Sequence, residues 1–418
     1  MAVVALQRVA AAVIKLRGRM YFQSIDDKQE CIGIYTDGCL LFEDFNLDGF
    51  SRTWKYSKLI ENNKNIECAS FYAKNDDIFK VCPDSIKHEY GEVLTKMRSF
   101  IKSLKIAKVD LTENCIFDLI PHKSLKDYLD VKNKITEYVF DTCERPKNYE
   151  HLLKIAKLAE EIKYQKININ SSELKKASYK QKVRRFIKNK DKFDPYVRYK
   201  LFGTKTGRLS AQNRSFPILT LDKDLRNYIE PSNDVFLELD FNAAEIRTLL
   251  ALNNQEQPDI DIHEWHAQNI FRGFTTRDKA KRRVFAWLYN LNSNDYLLDR
   301  FYDRAALKDK FWDGEKIVTP FHREIYSDEF HNVNYVLQST SNDIFLEQAY
   351  KIYELLNNKR SNIAFLLHDS VVIDFAKEDY KKIYELAEVF QGTRFGKFKI
   401  NVNIGNNFGD MRRFNWKS

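Results

Sequence analysis

The chain has 418 residues, 44% of them hydrophobic, with 68 basic against 59 acidic side chains for a net charge of +9. That length supports two or three domains around a sizeable buried core. No apolar run approaches the roughly 18 residues that span a bilayer, so a soluble chain with no membrane partner is expected.

The first nineteen residues, MAVVALQRVAAAVIKLRGR, contain no acidic side chain and are amphipathic. They resemble a mitochondrial presequence only loosely, and an ordinary surface helix is the expectation. Six cysteines (Cys31, Cys39, Cys68, Cys82, Cys115, Cys143) lie within the first 143 residues without a Cys-x-x-Cys pair. A structural zinc site is not indicated, and free thiols in a reducing compartment are expected. Residues 20 to 140 mix short strand-like runs, Cys31 to Tyr35 and Cys39 to Phe42, with helical stretches. Residues 144 to 200 are expected to be helical, with Leu152, Leu153, Ile155, Ala156, Ala159 and Ile162 at helix spacing. A main boundary is placed between Asp141 and Lys147.

The positive charge is concentrated. Lys163 to Arg208 holds fifteen Lys and Arg against Glu173, Asp191 and Asp194, a net of +12, so the rest of the chain sums to −3. Aromatic residues interleave with these cations. A solvated helix face accounts for such a run, and so does a surface that releases counterions from nucleic-acid phosphates. Lys182, Arg184, Arg185 and Lys188 are the candidate phosphate contacts.

Beyond Leu201 apolar strands end in carboxylates, with long helices between them. Val235 to Asp240 is a strand-like run closed by an acid and followed by a helix-like segment, Ala243 to Leu252. Either a metal-binding carboxylate at a sheet rim or a helix-capping aspartate accounts for it. Arg277 to Tyr289 places Arg277, Lys281, Phe285 and Tyr289 at a strict four-residue step. On a helix they make one stripe roughly 18 Å long, cations first and aromatics second. That order suits a nucleoside triphosphate, and a core helix would not put Arg and Lys in line with its aromatics. Ala364 to Asp374 is a hairpin pattern with His368-Asp369-Ser370 at its tip. Read alone, this is a turn aspartate beside a histidine. Brought beside Asp240, Asp369 would resist ionisation unless a divalent cation lay between them, and paired Mg²⁺ ions about 4 Å apart serve in-line phosphoryl transfer in this way.

These three segments, in this order, resemble motifs A, B and C of family A (DNA polymerase I-like) DNA polymerases. Thr206-Gly-Arg208-Leu-Ser210 resembles the family's TGRLS element, Leu225 to Pro231 the approach to motif A, and Asp261-Ile-His263 its D-I-H. Asn334 to Asp343 resembles its N-x-x-x-Q-G-T-x-x-D segment, and Val402 to Gly409 its closing strand. Together the matches run in order from Lys205 to Asp410.

The resemblance implies an α+β right-hand polymerase fold, with an antiparallel palm sheet, helical fingers and thumb, plus a smaller N-terminal α/β-type domain. The corresponding domains are an N-terminal domain at 1–143, a thumb-like basic arm at 144–205 and a palm at 206–418 with fingers inserted at about 263–317. It implies a template-directed DNA polymerase that extends a primer 3′ end with dNTPs, using two Mg²⁺ ions held by Asp240 and Asp369. Lys281 would neutralise and protonate the leaving pyrophosphate. Arg277, Lys281 and His263 would meet the triphosphate, Phe285 the sugar and Tyr289 the templating base. Glu245 would crowd a ribose 2′-hydroxyl. Arg208, Gln338 and His368 would touch primer or template.

Four positions depart from the family pattern: Ser370 for glutamate, Ala243 for glutamine, and Ser339 and Asn290 for glycines. Only 49 positions separate Tyr289 from Gln338, a trimmed interval. These departures suggest a compact, divergent enzyme, viral or organellar in type, with altered metal use. It would act inside the cell beside the DNA it copies, in host cytoplasm if viral or in an organelle if organellar. No Asp-x-Glu occurs between Met1 and Cys143, so neither proofreading nor a 5′ nuclease is expected, and a separate exonuclease or processivity subunit would supply what is missing. The rival readings are a single-subunit RNA polymerase-like enzyme, against which Glu245 and Phe285 argue, and a non-catalytic DNA-binding accessory subunit.

Overall fold

The computed structural model describes residues 20–21, 23–24, 33–42, 46–109, 114–290 and 293–416. The segment 1–19 and Cys31 therefore lie outside the described residues. Two compact units divide the chain, Met1–Lys157 and Leu158–Ser418.

In the first unit, two small sheets accompany two long helices, α1 (Asp84–Ile106) and α2 (His122–Thr142). Leu125, Leu129, Val131, Ile135 and Val139 of α2 are buried, and Tyr90 of α1 shares a core with Val131, Ile135, Val139 and Trp54. The two expected strands appear as Ile34–Thr36 and Cys39–Leu41, paired antiparallel. Cys39, Cys68, Cys82 and Cys143 are free, whereas Cys115 is disulfide-bonded, which corrects the all-thiol expectation. A bond between distant cysteines leaves no trace in local spacing.

Helix α3 (Tyr149–Ile162) runs across the boundary between the units. The helical reading of 144 to 200 holds over Tyr149–Ile162 and beyond it gives way to short pieces, because the backbone pairs at long range. Ile167 N–H donates to Pro195 O, and Asn168–Ile169 pairs with Ile229–Glu230. Only short helices follow, among them α4 (Gln181–Lys188). Val183 of α4 is buried, and Phe186 packs on Phe193 and Phe216, so the cations face outward.

The second unit is built on a five-stranded sheet with β1 (Val235–Phe241) at its centre. Following β1 come helices α5 (Ala244–Leu252), α6 (Ile262–Trp265), α7 (Arg277–Tyr289) and α8 (Asn332–Leu356). The chain then returns through β2 (Asn362–Leu367), β3 (Ser370–Phe375), helix α9 (Lys382–Gln391), β4 (Ile400–Gly405) and the short β5 (Arg412–Arg413). Spatial order is β2-β3-β1-β4-β5, every neighbour antiparallel. Side chains alternate across a strand, so Leu237, Leu239 and Phe241 share one face and Phe236, Glu238 and Asp240 the other. The first face is covered by helices: Phe241 stacks on Phe390 of α9 at 4.4 Å, and Phe390 meets Phe345 of α8. Trp287 and Leu288 of α7 share a core with Leu249 and Leu250 of α5 and Val336 and Leu337 of α8. No helix among the described residues is long and apolar enough to cross a membrane.

Candidate active site

Register brings the two acidic motifs together. Asp240, near the end of β1, lies opposite Ser370 of β3 and Asn401 of β4. The β2–β3 hairpin turns through His368 and Asp369, with His368 in the left-handed region at φ 55°. Phe241 N–H donates to the Asp369 carbonyl, so the two aspartates are anchored to adjoining strands. Burial first, then the Asp369 and Glu238 carboxylates, push Asp240 up to about 7, against the lowering effect of the Asn401 amide 3.1 Å from Oδ2. Burial likewise raises Asp369, opposed by His368 and Arg208. Ser370 is buried, and its hydroxyl donates to Leu367 O within the hairpin. It closes the turn at the position where the sequence resemblance leads one to expect a glutamate.

Helix α7 coincides with the expected span, and its stripe faces away from the core. Ala280, Val284, Trp287 and Leu288 are buried while Arg277, Lys281 and Tyr289 are exposed. Phe285 and Tyr289 stack at 5.8 Å with rings nearly parallel, and Lys281 Nζ lies 6.0 Å from the Phe285 ring. Glu245 joins the stripe to the acidic pair. Its carboxylate accepts from Arg208 and from the Tyr289 hydroxyl, and Gln338 also hydrogen-bonds Tyr289. Four residues from four separated motifs thus form one cluster beside Asp369.

The N-terminal, cationic end of the stripe is engaged within the chain itself. Arg277 is held by Asp261 through a bidentate pair, Nε to Oδ1 at 3.1 Å and Nη2 to Oδ2 at 2.9 Å. His263 is buried against Phe285 and His266, and burial lowers it to about 4, so it is neutral at pH 7 with Nδ1 unpartnered. On the basic arm, Lys182 is paired with Asp222 and Asp224, and one Arg184 nitrogen donates to Tyr179 O. Arg185 and Lys188 are exposed on the same helix.

Arg247 and Arg323 escaped the sequence reading, and Ala243 was noted there only for its departure in residue type. Arg247 is fully buried and donates to the carbonyls of Asn242, Pro258 and Ile260, which shapes the loop ahead of Asp261. Ala243, at the N-cap of α5, adopts φ 55°, a conformation costly for any side chain and one that recurs at functional sites. Arg323 forms a buried pair with Asp343 of α8, its guanidinium directly beneath Gly207. Gly207 sits at φ 79°, and a Cβ there would lie 2.4 Å from the Arg323 Cζ. Asn342 of α8 donates to Gly207 O at 3.0 Å, so α8 fixes the turn that presents Arg208. The spacing of Asn342 and Asp343 within the Gln338 segment was a usable signal; nothing local marks Arg323.

No family model matches the chain, and no curated protein does. Among solved structures, the chain is similar to the POL domain of Pol1 from M. smegmatis, solved in complex with DNA primer-template and dNTP. The TM-score is 0.65 at 10% identity, over 96% of this chain and 97% of that one. At that identity the likeness is one of fold. The fold is α+β of the right-hand polymerase type, with an antiparallel palm sheet, helical fingers and thumb, and a smaller N-terminal unit. The similarity takes in that N-terminal unit, where no sequence motif pointed.

Proposed function

We propose that this chain is a template-directed DNA polymerase that extends a primer 3′ end with dNTPs by two-metal-ion nucleotidyl transfer, without intrinsic proofreading. The observation that carries the reading is the meeting of Asp240, on β1, with Asp369, in the turn of the neighbouring β2–β3 hairpin, linked through Glu245 to the cation–aromatic stripe of α7.

The carboxylate pair fits divalent cations. Both acids are partly buried, Asp240 accepts from the Asn401 amide, and burial in the first place makes both resist ionisation, with the Asp369 carboxylate adding to the effect at Asp240. Among the described residues no group of three or more His, Cys, Asp or Glu forms a ready-made metal cage. Mg²⁺ accepts one or two carboxylates and takes its remaining ligands from substrate phosphates and water. When bound, two such ions would neutralise charge and act as Lewis acids in phosphoryl transfer.

The chain's own residues then divide the work. Arg208 and Gln338 hold the primer terminus, with His368 on the hairpin beside it. Phe285 receives the sugar and Tyr289 positions the templating base. Lys281 and Arg277 meet the phosphates, and Lys281 donates a proton to the leaving pyrophosphate. The region 144–205 acts as the thumb on duplex DNA, and 263–317 as the fingers. Primer-template DNA and dNTPs are the partners, with any exonuclease or processivity factor supplied by another chain.

Primer extension in Mg²⁺ with dNTPs, and in parallel with rNTPs, tests the reading. Extension with dNTPs is expected. Asp369→Asn should lower it by about 10² to 10⁴-fold, the effect of losing several kcal/mol of charge stabilisation, while DNA affinity and melting temperature stay near those of the parent. Extension within about tenfold of the parent removes Asp369 from the site. A preference for rNTPs reassigns the enzyme as an RNA polymerase, and no extension with either makes it an accessory protein.

A further inference from the structure

Asp261 is unusually well held for a residue beside a substrate site. Its Oδ1 accepts from the N–H groups of His263 and Glu264, each at 3.0 Å, and from Arg277 Nε at 3.1 Å. Its Oδ2 accepts from Asn242 Nδ2 and Arg277 Nη2, both at 2.9 Å. Asn242 is fixed in turn. Its Oδ1 accepts from Ile262 N–H at 3.1 Å and from the buried Arg247 guanidinium at 3.2 Å, and Arg247 Nε donates to Asn242 O at 2.8 Å. The resulting chain, Arg247–Asn242–Asp261–Arg277, joins the strand that carries Asp240 to the first residue of α7.

The two partners of the ion pair are not equally dependent on it. Without Arg277, Asp261 keeps three donors and stays satisfied in place. Arg277 without Asp261 keeps only Asp278, whose side chain is 82% exposed. A guanidinium in this position can exchange one bidentate anion for another, whereas the carboxylate cannot follow it. Resting on the proposed nucleotide site, we infer that Asp261 is a built-in counter-anion that occupies Arg277 until a nucleoside triphosphate displaces it. Asp261 therefore sets a threshold for nucleotide binding. An anion that cannot break the pair is denied Arg277, and α7 stays tied to the loop at Asp261.

The test is equilibrium dNTP affinity of the full chain on primer-template, with a primer ending in a 2′,3′-dideoxynucleotide so that no chemistry follows binding. Asp261→Asn keeps an oxygen for the two N–H donors but removes the charge that holds Arg277. It should tighten dNTP binding about three- to tenfold, the scale of a half-exposed bidentate ion pair. Asp261→Ser, which also retains a capping oxygen, serves if the first variant melts early. Arg277→Ala should weaken binding, and in its background Asp261→Asn should have no further effect, since there is no guanidinium left to release. Unchanged or weaker affinity in both folded Asp261 variants overturns the inference, as does parent-like affinity in Arg277→Ala. Failure of the proposed function is distinguishable, because it shows as absent primer extension by the parent, whereas this cycle is read from binding alone.

Discussion

Glu245, proposed above as the residue that crowds a ribose 2′-hydroxyl, also carries two hydrogen bonds. With 14% of its side chain exposed, it accepts from both Arg208 and Tyr289, and it contributes to the field at Asp369. Removing it has two separable consequences. Glu245→Ala opens space for a ribose 2′-hydroxyl and also frees Arg208 and Tyr289. Relative incorporation of rNTPs over dNTPs should rise by about 10 to 200-fold, the range of a pocket contact worth 1 to 3 kcal/mol, while the absolute rate falls. Glu245→Gln keeps the bulk and loses the charge, so it should retain sugar discrimination and lose rate. Single-turnover incorporation of each nucleotide measures both. Unchanged discrimination in the alanine variant places the sugar gate elsewhere.

At the scale of elements, helix α4 shows how three-dimensional context revises a charge run. Lys182, Arg184, Arg185 and Lys188 look equivalent in sequence, yet Lys182 is already paired with Asp222 and Asp224 at the start of the short helix Lys223–Arg226. Neutralising Arg184, Arg185 and Lys188 together should weaken DNA binding on every sequence alike, because phosphate contacts carry no base information. The log–log salt slope should flatten by about 2 to 3 units at roughly 0.9 per contact, and adding Lys182→Ala should change it little further. Affinity titrations across salt concentrations check this, and an unchanged slope makes α4 a solvated face only. The same contrast explains what was legible in the sequence. The α7 stripe and the strand-ending acids were legible because a four-residue step and a run of apolar residues closed by an acid are local patterns. The Arg247–Asn242–Asp261 network was not, because it exists only once the loop before α6 folds back onto β1. Arg323 was hidden for the same reason, since its role depends on Gly207 lying above it, more than a hundred positions earlier in the chain. Beyond Ile162, backbone pairing with Pro195, Tyr228 and Ile229 overrode the local helical pattern.

For the whole molecule, the question is what the unit Met1–Lys157 adds. A separate two-metal site for hydrolysing a 3′ end would need carboxylates of its own, and no Asp-x-Glu occurs between Met1 and Cys143. Several described carboxylates of that unit are committed to other partners. Glu67 accepts from Tyr72 and pairs with Arg145, Asp130 accepts from Tyr35, and Glu89 pairs with Lys134. The purified chain should therefore leave a mismatched 3′ end intact when incubated with Mg²⁺ and primer-template in the absence of nucleotides. Supplying the next correct dNTP should then give slow extension past the mismatch, with no excision product. The Asp369→Asn variant serves as the control, since it alters the proposed polymerase site at a residue outside the first unit. Shortening of the primer that co-purifies with the protein and persists in Asp369→Asn would locate a second metal-dependent site outside the palm. Shortening lost in that variant would instead assign the cleavage to Asp240 and Asp369 themselves.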